Sequence, residues 1–310
     1  FICIPLGVDG GLNEGNLSAY LLAPHGSDAF ACLDAGTVWK GLEVAARSGA
    51  FADLAANEAN LTAEGHVLRN HVRAYLVTHT YLDHVAGLAI VSPEDNQKPI
   101  LAMQGIIDDL RDHLFNWKTW PNFADQGTEP CLAQYRYIAL PERRPETIPG
   151  TEMKVTAFPL THRAYDGNST AFLIEAGGSF ALYMGDTGPD EVESSDKTLS
   201  LWKAIAPLIR DRLLRGIFVE ASYRNARPDD LLYSHLTPAW LFKALRRLAE
   251  LTDPHAPDKA LEGLALIITH IKPSLQSQPA ARDVIRQEVI EANDLGLNLV
   301  FAEQGKRFSF

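Results

Sequence analysis

A chain of 310 residues, 46% of them hydrophobic, can bury a sizeable core, and no run of about 18 or more apolar residues offers a bilayer span. A formal charge of −11 argues against nucleic acid as a partner, because a polyanion is held by clustered Lys and Arg that displace its counterions. The basic pairs Arg143-Arg144 and Arg246-Arg247 read as solvated surface, and no low-complexity tract or solenoid repeat divides the chain.

Residues 2–8 and 17–23 read as strands flanking the turn-rich Asp9-Gly10-Gly11-Leu12-Asn13-Glu14-Gly15, a hairpin-like pattern. Residues 30–33 form another short strand that closes on Asp34-Ala35-Gly36, residues 39–48 have helical spacing, and 73–77 form a strand. Ile106, Ile107, Leu110 and Leu114 give residues 103–115 a helical period, whereas 116–152, with Trp117, Trp120, Phe123 and several prolines, reads as loop. Strands are expected at 154–160, 171–175 and 180–184, then a helix over about 199–214 and a strand at 216–220. Thr237-Pro238 supplies an N-cap and first residue for a helix to Leu251; a strand at 264–269, a helix from Ala280 to near Gly296 and two short strands follow. Strands in two halves, each followed by helices, predict an α/β domain over 1–310 with two sheets back to back, helices outside, and a helix-loop insertion at about 103–152.

Polar residues stand directly after the apolar strand-like runs: His162, Asp186, Glu220 and His270, with His235 just before the helix start at Thr237-Pro238. Strand ends hold such groups rigidly while facing them to one edge. A lone His after a strand is more often a hydrogen-bonded structural residue than a ligand, and Glu220 or Asp186 alone could cap a turn; the ordered set gives the pattern its weight. The remaining histidines, His25, His66, His71, His113 and His255, lack this context and are read as surface or structural. Cys3, Cys32 and Cys131 lack metal-ligand spacing and read as idle thiols, with a single disulfide left open.

The densest cluster is Thr78-His79-Thr80-Tyr81-Leu82-Asp83-His84, where imidazoles and a carboxylate follow a strand. These are ligand types that divalent zinc prefers. The segment resembles the H-x-H-x-D-H signature of the metallo-β-lactamase superfamily, with Tyr81 in place of the second histidine. Several further blocks resemble the class II cyclic-nucleotide phosphodiesterases, a branch of that superfamily. They are Leu6-Gly7 with Gly10-Gly11, Asp34-Ala35-Gly36-Thr37, His113-Leu114-Phe115-Asn116 with Trp120-Pro121-Asn122-Phe123, and Gly185-Asp186-Thr187-Gly188-Pro189-Asp190. Glu220-Ala221-Ser222, His235-Leu236-Thr237-Pro238 and Thr269-His270-Ile271-Lys272-Pro273 complete the set.

The resemblance implies an αβ/βα metallo-β-lactamase-like sandwich of two mixed β-sheets with outer helices. It implies one metal held by Asp83, His84, Asp186 and His270, and another by His79, His162 and a bridging Asp186. The cofactor so implied is zinc, one or two ions per chain, with manganese or iron as alternatives. The implied substrate is a small cyclic nucleotide or other phosphodiester, opened to the nucleoside 5′-phosphate. Asp83, His235 and Glu220 are then the catalytic group, His235 being oriented by Glu220. Asp34 is either an acceptor for a ligand histidine's second N–H or a turn residue. Trp120 and Asn116 are candidate base contacts, against the alternative that the aromatics simply pack the loop.

Tyr81 leaves three outcomes open, since a neutral phenol is a poor zinc ligand. The protein binds one metal and hydrolyses slowly, keeps two with a phenolate or water at position 81, or binds a nucleotide or phosphate without turnover. A phenolate would favour ferric iron over zinc. Another branch of the superfamily is the further alternative. A start at Phe1 fits a removed leader and a periplasmic or secreted protein, and equally a trimmed cytoplasmic one. No membrane partner is expected, and the oligomeric state, a homodimer included, stays open.

Overall fold

The computed structural model describes residues 1–54, 60–162, 169–275 and 279–310. Contacts group the chain into two compact units: Phe1–Val8, Asn13–Ala157 and Glu303–Ser309 in the first, Asp9–Leu12, Phe158–Ala302 and Phe310 in the second.

The first unit contains β1 (Ile2–Gly7), β2 (Ala19–Ala23), β3 (Phe30–Leu33), α1 (Trp39–Arg47), α2 (Ala63–Asn70), β4 (Val72–Leu76), α3 (Leu82–Val91), β5 (Lys98–Ala102), α4 (Gln104–Asp109), β6 (Tyr135–Ala139) and β7 (Pro145–Thr147). Its mixed sheet runs β1-β2-β3-β4-β5-β6, with the terminal strand Phe308–Ser309 beside β1. The β1–β2 and β2–β3 pairs are antiparallel and β3 to β6 are parallel. Parallel strands are covered on both faces and so read as continuous apolar runs, as Phe30–Leu33 does. One core takes Ile4, Leu21, Phe30, Tyr75, Leu88 and Ile100 together with Leu42 of α1.

The second unit contains the end of β8 (Lys154–Leu160), then β9 (Ser169–Ala176), β10 (Ser179–Met184), α5 (Asp190–Glu193), α6 (Lys197–Arg210), β11 (Leu214–Glu220), α7 (Pro238–Thr252), β12 (Ala265–Thr269), α8 (Ala281–Ala292) and β13 (Asn298–Phe301). The second sheet runs β13-β12-β11-β10-β9-β8-β7, with β10 to β13 parallel and β9 antiparallel to β10. Leu241, Phe242, Leu245, Leu248 and Ala249 form the buried stripe of α7, at the 3.6-residue period that places them on one face. Thr237 caps that helix by accepting from Trp240 N, with Pro238 in the first turn where a missing N–H costs nothing.

Three expectations change. The stretch 116–152 is not all loop: Tyr135–Ala139 joins the first sheet as β6, burying Tyr135 and Tyr137 and exposing Arg136, and Pro145–Thr147 pairs with β8. A five-residue strand next to a proline-rich loop gives too short a period-2 signal to stand out. Helix α2, capped by Thr62 accepting from Gly65 N, was hidden by its internal glycine and short length. Helix α6 also ends at Arg210, four residues before the expected limit, because Arg212 turns through a positive φ of 56° into β11.

Candidate active site

In the first unit the site residues stand beyond β3 and β4 and on the first turn of α3. Asp34, fully buried after β3, adopts a left-handed φ of 53°, an uncommon conformation for a residue with a Cβ. Gly36 lets the loop lie against α3, since a Cβ there would meet the Asp83 carbonyl oxygen at 2.1 Å. Asp34 accepts from Thr78 N at 2.8 Å, from Thr78 Oγ1 at 2.9 Å and from His84 Nδ1 at 2.9 Å. An imidazole that donates Nδ1–H to a carboxylate carries its lone pair on Nε2. His79 obtains the same tautomer indirectly: its Nδ1 lies 2.9 Å from Thr78 Oγ1, whose hydrogen goes to Asp34. The His79 and His84 rings lie 4.1 Å apart, centroid to centroid. Asp34 therefore orients imidazoles rather than merely turning the chain. Asp83 sits on the first turn of α3 and is half-buried. Tyr81 is the N-cap residue of α3, 41% exposed, with its ring edge-on to His79 at 5.1 Å.

In the second unit Asp186, Glu220 and His270 stand at the ends of β10, β11 and β12, and His162 follows β8. Asp186 Oδ2 lies 3.1 Å from His270 Nε2 and 4.0 Å from His162 Nε2, all three groups buried. Asp186, His235 and His270 also form a compact group of potential metal donors. His162 donates from Nδ1 to the Ser234 carbonyl at 2.8 Å, across a turn in which Tyr233 and Ser234 both have positive φ, 50° and 58°. Burial holds the His162 pKa down at about 4, so the ring is neutral with its lone pair on Nε2, the form a metal binds. His270 has a left-handed φ of 54°, and its ring rests on Gly10, where a Cβ would come within 2.5 Å of it. Strain of this kind persists where the surroundings over-determine it.

Glu220 is fully buried and accepts from Thr187 N at 2.8 Å, Leu236 N at 3.2 Å, His235 Nδ1 at 3.1 Å and the Ser222 hydroxyl. Burial, reinforced by the Asp186 charge, pushes its pKa up to about 7. His235 thus commits Nδ1 to a carboxylate, which suits it to proton transfer from Nε2 rather than to ligation through Nδ1.

The donor set fits a metal. His270 Nε2 and Asp186 Oδ2 are both acceptors once Nδ1 holds the ring proton, and two acceptors 3.1 Å apart are satisfied by a proton or a metal ion between them. Tetrahedral coordination at about 2.0–2.1 Å sets neighbouring donors roughly 3.3 Å apart.

Two residues expected to contact the base have partners within the fold. Asn116 Oδ1 accepts from Lys118 N and Thr119 N, and its amide donates to the Asp112 carbonyl. Trp120 packs on the first core and donates Nε1–H to Ser92 Oγ at 3.0 Å. Trp120 thus packs as the alternative for the aromatics has it, and Asn116 satisfies backbone groups of its own turn. Sequence reasoning missed Thr78, Ser222 and the Ser234 carbonyl as orienting groups. The only signal was a hydroxyl residue beside a strand-end His or Glu.

The family model of class-II cAMP phosphodiesterases matches residues 1–305. The chain belongs to this family. It is 38% identical to the 3′,5′-cyclic-nucleotide phosphodiesterase of Aliivibrio fischeri, over 100% of this chain and 93% of that protein. It is 37% identical to the probable 3′,5′-cyclic-nucleotide phosphodiesterase of Yersinia pestis, over 100% and 89%. Unliganded yeast PDE1 superposes with a TM-score of 0.85 at 21% identity, covering 99% of this chain and 98% of that one. The Bacillus subtilis metallo-β-lactamase fold protein YhfI superposes with a TM-score of 0.62 at 15% identity, covering 99% of each. The fold of this class-II phosphodiesterase is accordingly the metallo-β-lactamase fold. Among the described residues no helix is long and apolar enough to cross a membrane.

Proposed function

We propose that the chain is a metal-dependent hydrolase that opens 3′,5′-cyclic nucleotides to nucleoside 5′-monophosphates. The observation that carries this reading is the pairing, within the second unit, of the donors His162, Asp186 and His270 with a buried Glu220–His235 dyad. A site that only bound a phosphate would have little need of an oriented proton donor.

The ligands are proposed as the family pattern assigns them: Asp83, His84, Asp186 and His270 for one ion, His79, His162 and Asp186 for the other, with zinc favoured over manganese or iron. The bound ions would supply Lewis acidity toward the phosphoryl oxygens and lower the pKa of the attacking water. Glu220 holds the Nδ1–H of His235 so that Nε2 delivers a proton to the 3′ oxygen as its bond to phosphorus breaks and the bond from water forms. The neutral state of His162 and the carbonyl of Ser234 keep that ring from competing for the proton.

The place proposed for the substrate is a cleft beside the dyad. A cleft of about 430 Å³ begins at Ser222 and is lined by Tyr223, Arg224, Arg227 and Lys272, with no Asp or Glu among its described lining residues. Tyr223 meets His235 edge-on at 5.7 Å and carries the Arg227 guanidinium 4.5 Å above its ring. Three cations concentrated in one cleft of a chain of net charge −11 suit an anionic nucleotide.

The purified protein supplied with zinc or manganese should convert a cyclic nucleotide to the 5′-monophosphate, and a chelator should stop it. Nucleotide binding without turnover, or turnover of β-lactams or thioesters alone, would remove this reading. Tyr81 is expected to weaken the His79–His162 ion, because the phenol replaces an imidazole donor. Tyr81→His should then raise tightly bound zinc toward two ions per chain and raise the rate with it. Two tight zinc ions in the unmodified protein, with the rate unchanged or lowered by the substitution, would show that Tyr81 already serves a complete centre.

A further inference from the structure

The Glu220 carboxylate reaches a second imidazole besides His235, through one hydroxyl. Ser222 Oγ makes a close hydrogen bond to Glu220 Oε2, lies 2.9 Å from His270 Nδ1 and 3.0 Å from the His270 carbonyl oxygen, and is fully buried. The hydroxyl has one hydrogen to give. Its two oxygen neighbours, a carboxylate and a carbonyl, are both acceptors, so the hydrogen goes to one of them and a lone pair is left facing His270 Nδ1. That nitrogen must then carry the ring proton, and Nε2, which faces Asp186 Oδ2 at 3.1 Å, keeps its lone pair.

The first unit repeats the arrangement with different residues. There the order is Asp34 carboxylate, Thr78 hydroxyl, His79 Nδ1, with Asp34 also bonded directly to His84. In each unit one buried strand-end carboxylate fixes two imidazoles, one directly and one through a hydroxyl. The recurrence of carboxylate, hydroxyl and imidazole in that order argues that the hydroxyl's part is tautomer control rather than incidental packing.

We infer that Ser222 is a positioning residue of the candidate metal centre, a hydroxyl relay through which Glu220 holds His270 as the Nδ1–H tautomer and keeps Nε2 ready for a metal ion. The inference rests on the metal-dependent reading above and adds to it a link: one carboxylate governs both the proton donor His235 and the donor His270.

The tautomer can be read directly, without turnover. Long-range 1H–15N correlation spectra of the metal-free protein labelled with 15N-histidine should show His270 in the Nδ1–H form, assigned by its loss in His270→Gln. Ser222→Ala removes the relay, and the His270 pattern should move toward the Nε2–H form or a mixture. Zinc affinity, measured by competition with a chelator, should fall by about 10–100-fold, the usual effect of losing a group that orients a ligand. Glu220→Gln keeps the hydroxyl and reverses its environment. The amide can donate to Ser222 Oγ, whose hydrogen is then shared between the His270 carbonyl oxygen and Nδ1, so a smaller shift toward Nε2–H than in Ser222→Ala is expected. An Nδ1–H pattern and a zinc affinity both unmoved in Ser222→Ala and Glu220→Gln would overturn the role. An unmodified protein that binds zinc yet turns over no cyclic nucleotide, with these shifts in its variants, overturns the functional reading while supporting the relay.

Discussion

Replacing Asp186 with Asn should cost roughly three decades or more of cyclic-nucleotide turnover while leaving the metal-free protein folded and, at pH 8, more stable than the unmodified one. The loss follows from position. Asp186 Oδ2 lies near both His270 Nε2, at 3.1 Å, and His162 Nε2, at 4.0 Å, and an amide oxygen there is a weak, neutral donor. Metal polarisation supplies several kcal/mol to such a reaction, and each 1.36 kcal/mol is a factor of ten in rate. Metal content should fall in parallel. The stability gain has a separate cause. Asp186 helps to raise the Glu220 pKa from 4.5 to about 7. A carboxyl raised on folding stabilises fully below its unfolded pKa and loses that contribution as pH rises through the folded value, here between about 4.5 and 7, by up to about 3 kcal/mol. His162, lowered from 6.5 to about 4, acts in the opposite sense, but by pH 8 it is neutral in both states. At pH 8 the Glu220 penalty is therefore not offset by His162, and removing the neighbouring charge reduces it. Urea denaturation with a chelator present, at pH 8, gives the sign. Equal loss of activity and stability would mean that Asp186 chiefly supports the fold.

The sequence carried the strand ends of this site well, because an apolar run followed at once by His, Asp or Glu is a local pattern. His162, Asp186, Glu220 and His270 each stand where such a run stops. The alternation of parallel strands with helices α6 and α7 was equally plain, their buried stripes being long enough to show a period. What stayed hidden was either short or non-local. Strand β6 has five residues, and α2 has eight with a glycine inside. The partners of Asn116 and Trp120 were illegible for another reason: Ser92 and Asp112 become neighbours only after the loop folds. The orienting hydroxyls of Thr78 and Ser222 look like ordinary polar residues in a linear chain. Their role depends on a carboxylate 44 residues away in one case and two in the other. Asp34 needed the same information, since a left-handed residue after a strand fits a turn and a histidine acceptor equally well until His84 is seen bonded to it.

His235→Asn should lower kcat for cyclic-nucleotide hydrolysis by about 10²–10⁴, the range that a positioned general acid contributes. KM should change little, because the ring's Nδ1 is committed to Glu220 and the group acts on the departing oxygen rather than on the bound substrate. Glu220→Gln should produce part of the same loss. The amide has one oxygen left for His235 Nδ1, whereas the carboxylate presents both oxygens at 3.1 Å and adds the negative charge that stabilises the imidazolium. The double variant decides between shared and independent action. If Glu220 works through His235, the two losses do not multiply, and the double variant falls only as far as His235→Asn, apart from the weaker metal hold expected through Ser222. Supplying saturating zinc removes that second contribution and leaves the dyad alone under test. Losses that multiply fully at saturating zinc would mean that Glu220 acts on turnover by a route of its own, with the dyad hydrogen bond incidental to it.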